Sequence, residues 1–239
     1  MQKAVIIGAT SGIGRALALE LSRRGYAVGI AGRRTELLAM LRAELPGPSA
    51  MRALDVAQPE AAERELDALI DELGGMDLLV ISAGVGIPNP ELEWPPERDT
   101  IAVNVSGFTA MAAAAFRYFV RRGAGHLVGI SSIAGLRGSR FNSAYGASKA
   151  FEMHYLEGLR AHARHLRLPI HVTDIRPGFV ETPMTHGKPG MFWVAEVETA
   201  ARQIADAIAR RQRVAYLTRR WALVAWLLRH LPNWLLERI

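Results

Sequence analysis

Close to the N-terminus a short apolar run, Lys3-Ala4-Val5-Ile6-Ile7, passes directly into Gly8-Ala9-Thr10-Ser11-Gly12-Ile13-Gly14. Apolar residues then recur at helical spacing through Ala16, Leu17, Leu19 and Leu21. β-Branched residues bounded by glycine read as a strand, and the following 3.6-residue period reads as a helix. Strand, glycine turn and helix in that order make a place for a phosphate. Glycines let the backbone approach a pyrophosphate closely, and the helix N-terminus offers free amides and a partial positive charge. The spacing is G-x-x-x-G-x-G, so it departs from the G-x-G-x-x-G fingerprint. A tight turn explains any one of the glycines more readily than all three.

The alternation that begins here continues along the chain. Residues 26–31 read as a second strand, 35–45 as a helix closed by Pro46-Gly47, 50–54 as a third strand and 60–73 as a helix closed by Gly74-Gly75. A fourth strand at 77–81, a long helix at about 97–122, a strand at 126–131, a helix carrying Tyr145, a strand at 170–175, a helix at about 196–211 and a last strand at 214–217 complete the series. Such a series predicts an α/β fold: a doubly wound, mostly parallel seven-stranded sheet flanked by helices, with right-handed crossovers. A chain of 239 residues, half of them hydrophobic and without a linker or repeat, fits one domain spanning 1–239.

In that architecture sites lie at the carboxyl ends of the strands. The candidate residues fall there: Gly8 to Gly14 after the first strand, Arg33 after the second, Asp55 after the third, Ser82-Ala83-Gly84 after the fourth, Ser132 after the fifth and Pro177-Gly178 after the sixth. Tyr145 is followed four residues later by Lys149 and preceded thirteen residues earlier by Ser132. Positions i and i+4 share one helix face, so the phenol and the ammonium can point into the same space. A free tyrosine titrates near ~10, and an adjacent cation favours its phenolate, which suits the pair to proton exchange. The chain holds 29 basic residues, of which only Lys3, Lys149 and Lys188 are lysines. A compact ammonium at Tyr+4 is therefore notable, although the pattern alone also describes an ordinary surface lysine.

Taken in order, these motifs resemble the short-chain dehydrogenase/reductase family in its compact, single-domain branch, with a Rossmann-type fold, over about the first four fifths of the chain. The resemblance implies a cofactor turn at Gly8, Thr10, Ser11, Gly12, Ile13 and Gly14, and a catalytic tetrad of Asn104, Ser132, Tyr145 and Lys149. Ile81-Ser82 stands where the family's N-N-A-G begins, with Ala83 and Gly84 retained. Asp55 and Val56 match the pair that contacts adenine, and Pro177, Gly178, Val180 and Thr182 match the segment that reaches the nicotinamide carboxamide. Asp55 also stands where a helix cap would, ahead of the helix-starting Gln58-Pro59. By the same resemblance Lys149 holds the nicotinamide ribose, Ser132 binds the substrate oxygen, and Asn104 supports a water leading from Lys149 to solvent.

At the end of the second strand, Gly32-Arg33-Arg34 carries no carboxylate for a ribose 2′-hydroxyl and two cations for a 2′-phosphate, which favours NADP(H) over NAD(H). The expected reaction interconverts a carbonyl and an alcohol by hydride transfer, with Tyr145 exchanging the proton. The other reading is a non-catalytic NADP-binding regulator or scaffold of the same fold. A lid is expected over about 183–195, with Gly187, Pro189 and Gly190 as turning points; its Met184, Met191, Phe192 and Trp193 either suggest a hydrophobic substrate or anchor the segment to the protein. Arg137 and Arg140 stand near the expected pocket mouth, either to meet an anionic tail or to face solvent.

The net charge of +6 is spread over helices without a nucleic-acid motif, and the absence of cysteine excludes disulfide and thiolate chemistry and suits the cytoplasm. No stretch reads as a membrane span; the nearest is 221–228, and a soluble protein is expected. His162 and His165 share a helix face without a third ligand and read as surface rather than metal. In the segment 219–239, Trp221, Val224, Ala225 and Leu228 recur at helical spacing between arginines, and Pro232-Asn233 precedes Trp234-Leu235-Leu236. Packing or assembly into a homodimer or homotetramer is favoured there over peripheral membrane contact.

Overall fold

The computed structural model describes residues 1–138, 142–187 and 190–232. Arg140, Lys188, Pro189 and the 233–239 part of the C-terminal segment lie outside them. Seven strands form one parallel sheet in the order β3-β2-β1-β4-β5-β6-β7: β1 Lys3–Ile7, β2 Ala27–Gly32, β3 Ser49–Ala53, β4 Leu78–Ile81, β5 Gly125–Ile130, β6 Ile170–Pro177 and β7 Val214–Leu217. The order reverses at β1, between β2 and β4, which opens a crevice above the end of β1. Register aligns the strand ends, since Ile7 pairs with both Ala31 and Ile81. The loops after these three strands therefore rise at one level.

Among the described residues, eight α-helices accompany the sheet: α1 Gly12–Arg23, α2 Thr35–Glu44, α3 Pro59–Leu73, α4 Trp94–Ile101, α5 Phe108–Arg122, α6 Ser143–His165, α7 Val197–Ala209 and α8 Trp221–His230. β1 shows why two layers are needed. Its side chains alternate, Ala4 and Ile6 into a core with Leu17, Leu38 and Ile204, Val5 and Ile7 into a second core with Leu66, Phe108 and Leu156. A strand apolar on both faces must be covered on both. Pro59 opens α3, and Gly74, at φ +75, closes it in the left-handed conformation that glycine adopts without strain.

The expected long helix at 97–122 starts earlier, at Trp94, and is interrupted by a π-helical segment at Ala102–Gly107 that contains Asn104. The extra residue per turn turns Asn104 and Gly107 inward. A Cβ on Gly107 would sit 2.8 Å from the Cβ of Val56, so the kinked helix is pressed against the segment after β3. One expectation is corrected here. The most apolar long helix is this composite Trp94–Arg122, with a mean hydropathy of 1.2 over its best window, and not the segment at 221–228. More than half of that window is buried against the rest of the molecule, as a core helix is.

Candidate active site

A cavity of about 250 Å³ runs along the carboxyl edge of the sheet. At one end lies the glycine turn. Gly8 has φ +89 and Gly12 φ +53, and a Cβ on Gly14 would fall onto the Gly8 carbonyl, 2.9 Å from its carbon. The Gly8 and Ala9 amides both donate to the Ala31 carbonyl, at 2.8 and 3.1 Å, which folds the turn back over β2. No side chain caps the N-terminus of α1, and its first turn holds no acidic residue. That helix end is left open to an anion.

Thr10, Ser11 and Ile13 line the same end with Arg33 and Arg34. Arg34 rather than Arg33 is held in place: its guanidinium donates to the Thr10 hydroxyl at 2.6 Å and the Ser11 hydroxyl at 3.0 Å. Arg33 lines the cavity with no hydrogen bond or ion pair among the described residues. Asp55 and Val56 form the next wall. The Asp55 carboxylate accepts from the Ala57 amide at 3.0 Å in a turn ahead of α3; the N-cap of that helix is Gln58, so the capping role the sequence offered for Asp55 is not the one it takes. Ser82, Ala83 and Gly84 line the floor; a Cβ on Gly8 would meet the Ala83 Cα at 2.7 Å.

Ser132, Tyr145 and Lys149 surround the other end. Ser132 caps a 3-10 turn at Ile133–Leu136, its hydroxyl oxygen accepting from the Ala134 amide at 3.1 Å, which leaves the hydroxyl hydrogen for another acceptor. Ser131 also lines the cavity, but its hydroxyl is engaged in a buried hydrogen bond with Asp174. The half-buried Tyr145 ring lies against Gly86; a Cβ there would be 3.3 Å from the ring. The Lys149 ammonium is 5.8 Å from the centroid of that ring.

Two placements differ from expectation. Asn104 is fully buried behind the cavity rather than on its wall. Its amide clamps Val85 in both directions, at 2.9 and 2.8 Å, and donates to the Ser148 hydroxyl at 3.0 Å, so it ties the β4 exit loop to α6. Lys149 is not directed at the phenol alone. Its ammonium is buried and donates to both carboxylate oxygens of Glu152, at 2.8 and 3.0 Å, and to the Ile130 carbonyl at 3.1 Å. Burial works against its charge, but Glu152, Tyr145 and Asp174 outweigh that and hold the ammonium above its ordinary range. Glu152 is itself pushed up to about 7, by burial first and by Asp174 in addition, against the pull of Lys149.

Glu152 was missed in the sequence, whereas Trp221 was read there as part of a packed apolar stripe. Glu152 could have been found as a carboxylate three residues after Lys149, on the inward face of a helix. Pro177, Gly178, Val180 and Thr182 form the last wall, joined by Pro183, Met184 and Thr185. A Cβ on Gly178 would collide with the buried Trp221 indole, so the first residue of α8 packs on the cavity wall. Phe179, Phe192 and Trp193 gather around that indole at centroid distances of 5.5, 5.0 and 6.1 Å, so the lid aromatics serve as its anchor. Neither reading of Arg137 holds, because its guanidinium donates to the carbonyls of Leu228, Arg229 and Leu231 at 2.6, 3.1 and 3.1 Å. His162 is exposed and lies against Phe116, and among the described residues no cluster could hold a metal ion.

A crevice at the reversal of a parallel sheet, floored by a glycine turn at an uncapped helix end, defines a Rossmann-type nucleotide-binding protein. The chain belongs to the short chain dehydrogenase family, whose model matches residues 2–190. It is similar to an uncharacterised oxidoreductase of Myxococcus xanthus, 43% identical over 187 residues that cover 76% of this chain and 73% of that one. A short-chain dehydrogenase from Sphingobium yanoikuyae, solved in complex with NADPH, shares the fold at a TM-score of 0.81 and 24% identity, covering 98% of this chain and 97% of that one. The closed form of serine dehydrogenase complexed with NADP+ superposes at a TM-score of 0.79 with 26% identity, over 87% of this chain and 89% of that one.

Proposed function

We propose that the protein is an NADP(H)-dependent oxidoreductase that interconverts a carbonyl and a secondary alcohol on a hydrophobic substrate, with Tyr145 as general acid and base. The observation that carries this reading is the single cavity joining the glycine turn and Arg34 at one end to Ser132, Tyr145 and Lys149 at the other. The residues fit the cofactor. The Gly8–Gly14 turn and the open end of α1 suit a pyrophosphate, Asp55 and Val56 flank the place for an adenine, and Pro177, Gly178, Val180 and Thr182 would hold the nicotinamide end. When bound, the nicotinamide supplies or accepts the hydride.

The chain's own part is to bind, orient and move a proton. Ser132 has a hydroxyl hydrogen to donate to a substrate oxygen, which stabilises charge as it develops there. Tyr145 gives or takes the proton of that oxygen, and Lys149 supplies positive charge beside it. Preference for NADP(H) is supported by Arg33 and Arg34, by a β2 end without a carboxylate, and by the ligands of the two similar structures. Met184, which lines the cavity, supports a hydrophobic substrate. The exposed Leu223, Trp226 and Leu227 of α8 support assembly into a homodimer or homotetramer, with contact at a membrane surface as the lesser reading.

The test is consumption of NADPH and of NADH against a panel of ketones, aldehydes and lipid-like carbonyls. Turnover is expected with NADPH in preference to NADH, and Tyr145→Phe is expected to lower kcat at least 100-fold while NADPH still binds, since proton transfer by a placed side chain contributes about 10²–10⁴. Substantial turnover by Tyr145→Phe would overturn the assignment of the phenol.

A further inference from the structure

Beneath the cavity lies a buried charge cluster that the proposed reaction does not use. Glu152, on the α6 turn after Lys149, has no exposed surface and holds the ammonium through both of its oxygens. Asp174 of β6 is equally buried, bonded to Ser131 and to the Arg176 guanidinium at 2.6 Å, and Arg176 reaches the Tyr216 hydroxyl of β7 at 3.2 Å. Asp174 therefore has its own cation. Lys149 is left to Glu152, and a buried carboxylate this close takes up much of the field that the ammonium would otherwise direct at the phenol.

We propose that Glu152 is a positioning residue for the reaction: it tethers Lys149 through both carboxylate oxygens and draws part of the ammonium's charge away from the Tyr145 phenol. The proposal rests on the reading of Tyr145 as the proton donor and adds what sets its working pH. The charged and titratable groups around Glu152 are few. On α6 the group acting on it is Lys149, and on β6 it is Asp174, itself bonded to Arg176. The other packed elements carry charges that are already engaged: Arg98 of α4 is paired with Asp99, Arg117 of α5 with Glu63, and Arg137 after the 3-10 turn binds the end of α8. Upward displacement of the Glu152 carboxyl by burial means that its hold on Lys149 weakens as pH falls below neutrality. Protonation then releases the ammonium toward the phenol.

The experiment compares wild type, Glu152→Gln, Glu152→Asp and Tyr145→Phe. Tyrosinate absorbance is titrated in cofactor-free protein, and subtracting the Tyr145→Phe curve isolates Tyr145 from the other tyrosines. The pH profile of kcat/KM for NADP+-dependent alcohol oxidation is measured alongside. Glu152→Gln is expected to move both midpoints about one pH unit lower, as removal of one buried charge near a titrating group does, and Glu152→Asp to return them toward wild type. If Glu152→Gln is not recovered folded, Glu152→Met replaces it, with similar volume and no charge. Unchanged midpoints, with loss only of stability or kcat, would overturn the proposal. A wild type that turns over no carbonyl would overturn the enzymatic reading instead, while the absorbance titration would still decide the role of Glu152.

Discussion

At the scale of single residues, the glycine turn separates two reasons for a glycine. Gly14 is needed for space, because a Cβ there would fall onto the Gly8 carbonyl. Gly25, at φ +86, has nothing within 4 Å of a built Cβ and is needed only for its backbone conformation. Gly14→Ala is therefore expected to push α1 away from the turn and weaken NADPH binding at least 10-fold, about 1.4 kcal/mol, as read by calorimetry. Gly25→Ala should cost about 1 kcal/mol of stability and leave binding alone. Equal affinity of Gly14→Ala and wild type for NADPH would remove the turn from the cofactor site. The two reasons look the same in sequence, since both glycines close or open a helix. Only the approach of the Gly8 carbonyl tells them apart.

At the scale of elements, the β-α alternation was legible because each strand is apolar and each helix has its own period and stop signal. Most boundaries moved by a residue or two, α4 starts three residues early at Trp94, and β6 runs on through Pro177. The π-helical segment was only half legible: Asn104 marked an unfavourable place in a helix, but the wider turn goes with Gly107 packing on Val56, a contact that no local pattern encodes. Glu152 stayed hidden because a carboxylate on a helix reads as solvated until the helix is docked. A pair of histidines was passed over for the same reason. His126 on β5 and His171 on β6 are register partners, and the His126 ring is 2.8 Å from the Thr173 hydroxyl. Thr173 donates its own hydrogen to the Gln212 carbonyl, so His126 is the donor toward it.

Burial, with His171 and Arg211 adding to it, pushes His126 down to about 3. Below its unfolded value near ~6.5 the unfolded chain takes up the proton and the folded one does not. The stability held by neutral His126 is thus complete above that value and lost as pH falls toward 3. Between pH 7 and pH 5 the loss is about 2 kcal/mol. Glu152, displaced upward, acts in the opposite sense over the same window, but it is present in both proteins of the comparison. Urea unfolding at the two pH values should show a drop for wild type that exceeds that of His126→Gln by about this amount. Equal drops would mean that His126 takes up its proton in the folded state.

At the scale of the whole molecule, the question is whether α8 belongs to the site or to the surface. Its inward face, Trp221 and Ala225, is buried, while Leu223 and Trp226 are 67% and 58% exposed. Two links run from α8 toward the cavity: the Trp221 indole lies on Gly178 after β6, and Arg137, which follows the 3-10 turn begun by Ser132, binds the carbonyls at the other end of the helix. The helix is thus tied at its start to the segment after β6 and at its end to the residue after the 3-10 turn, and Phe192 and Trp193 rest on its first residue. Because α8 follows the edge strand β7, loosening it leaves the two main cores intact. Trp221→Ala is accordingly expected to preserve the cooperative unfolding of the sheet while raising the KM for NADPH and for substrate about 10-fold, the effect of ~1.4 kcal/mol of lost positioning, and to expose the 183–195 segment to protease. Trp226→Ser, on the outer face, should leave both KM values and the cleavage rate unchanged. If Trp221→Ala keeps wild-type kinetics, α8 is a surface element only, and the aromatic cluster is packing without consequence for the cavity.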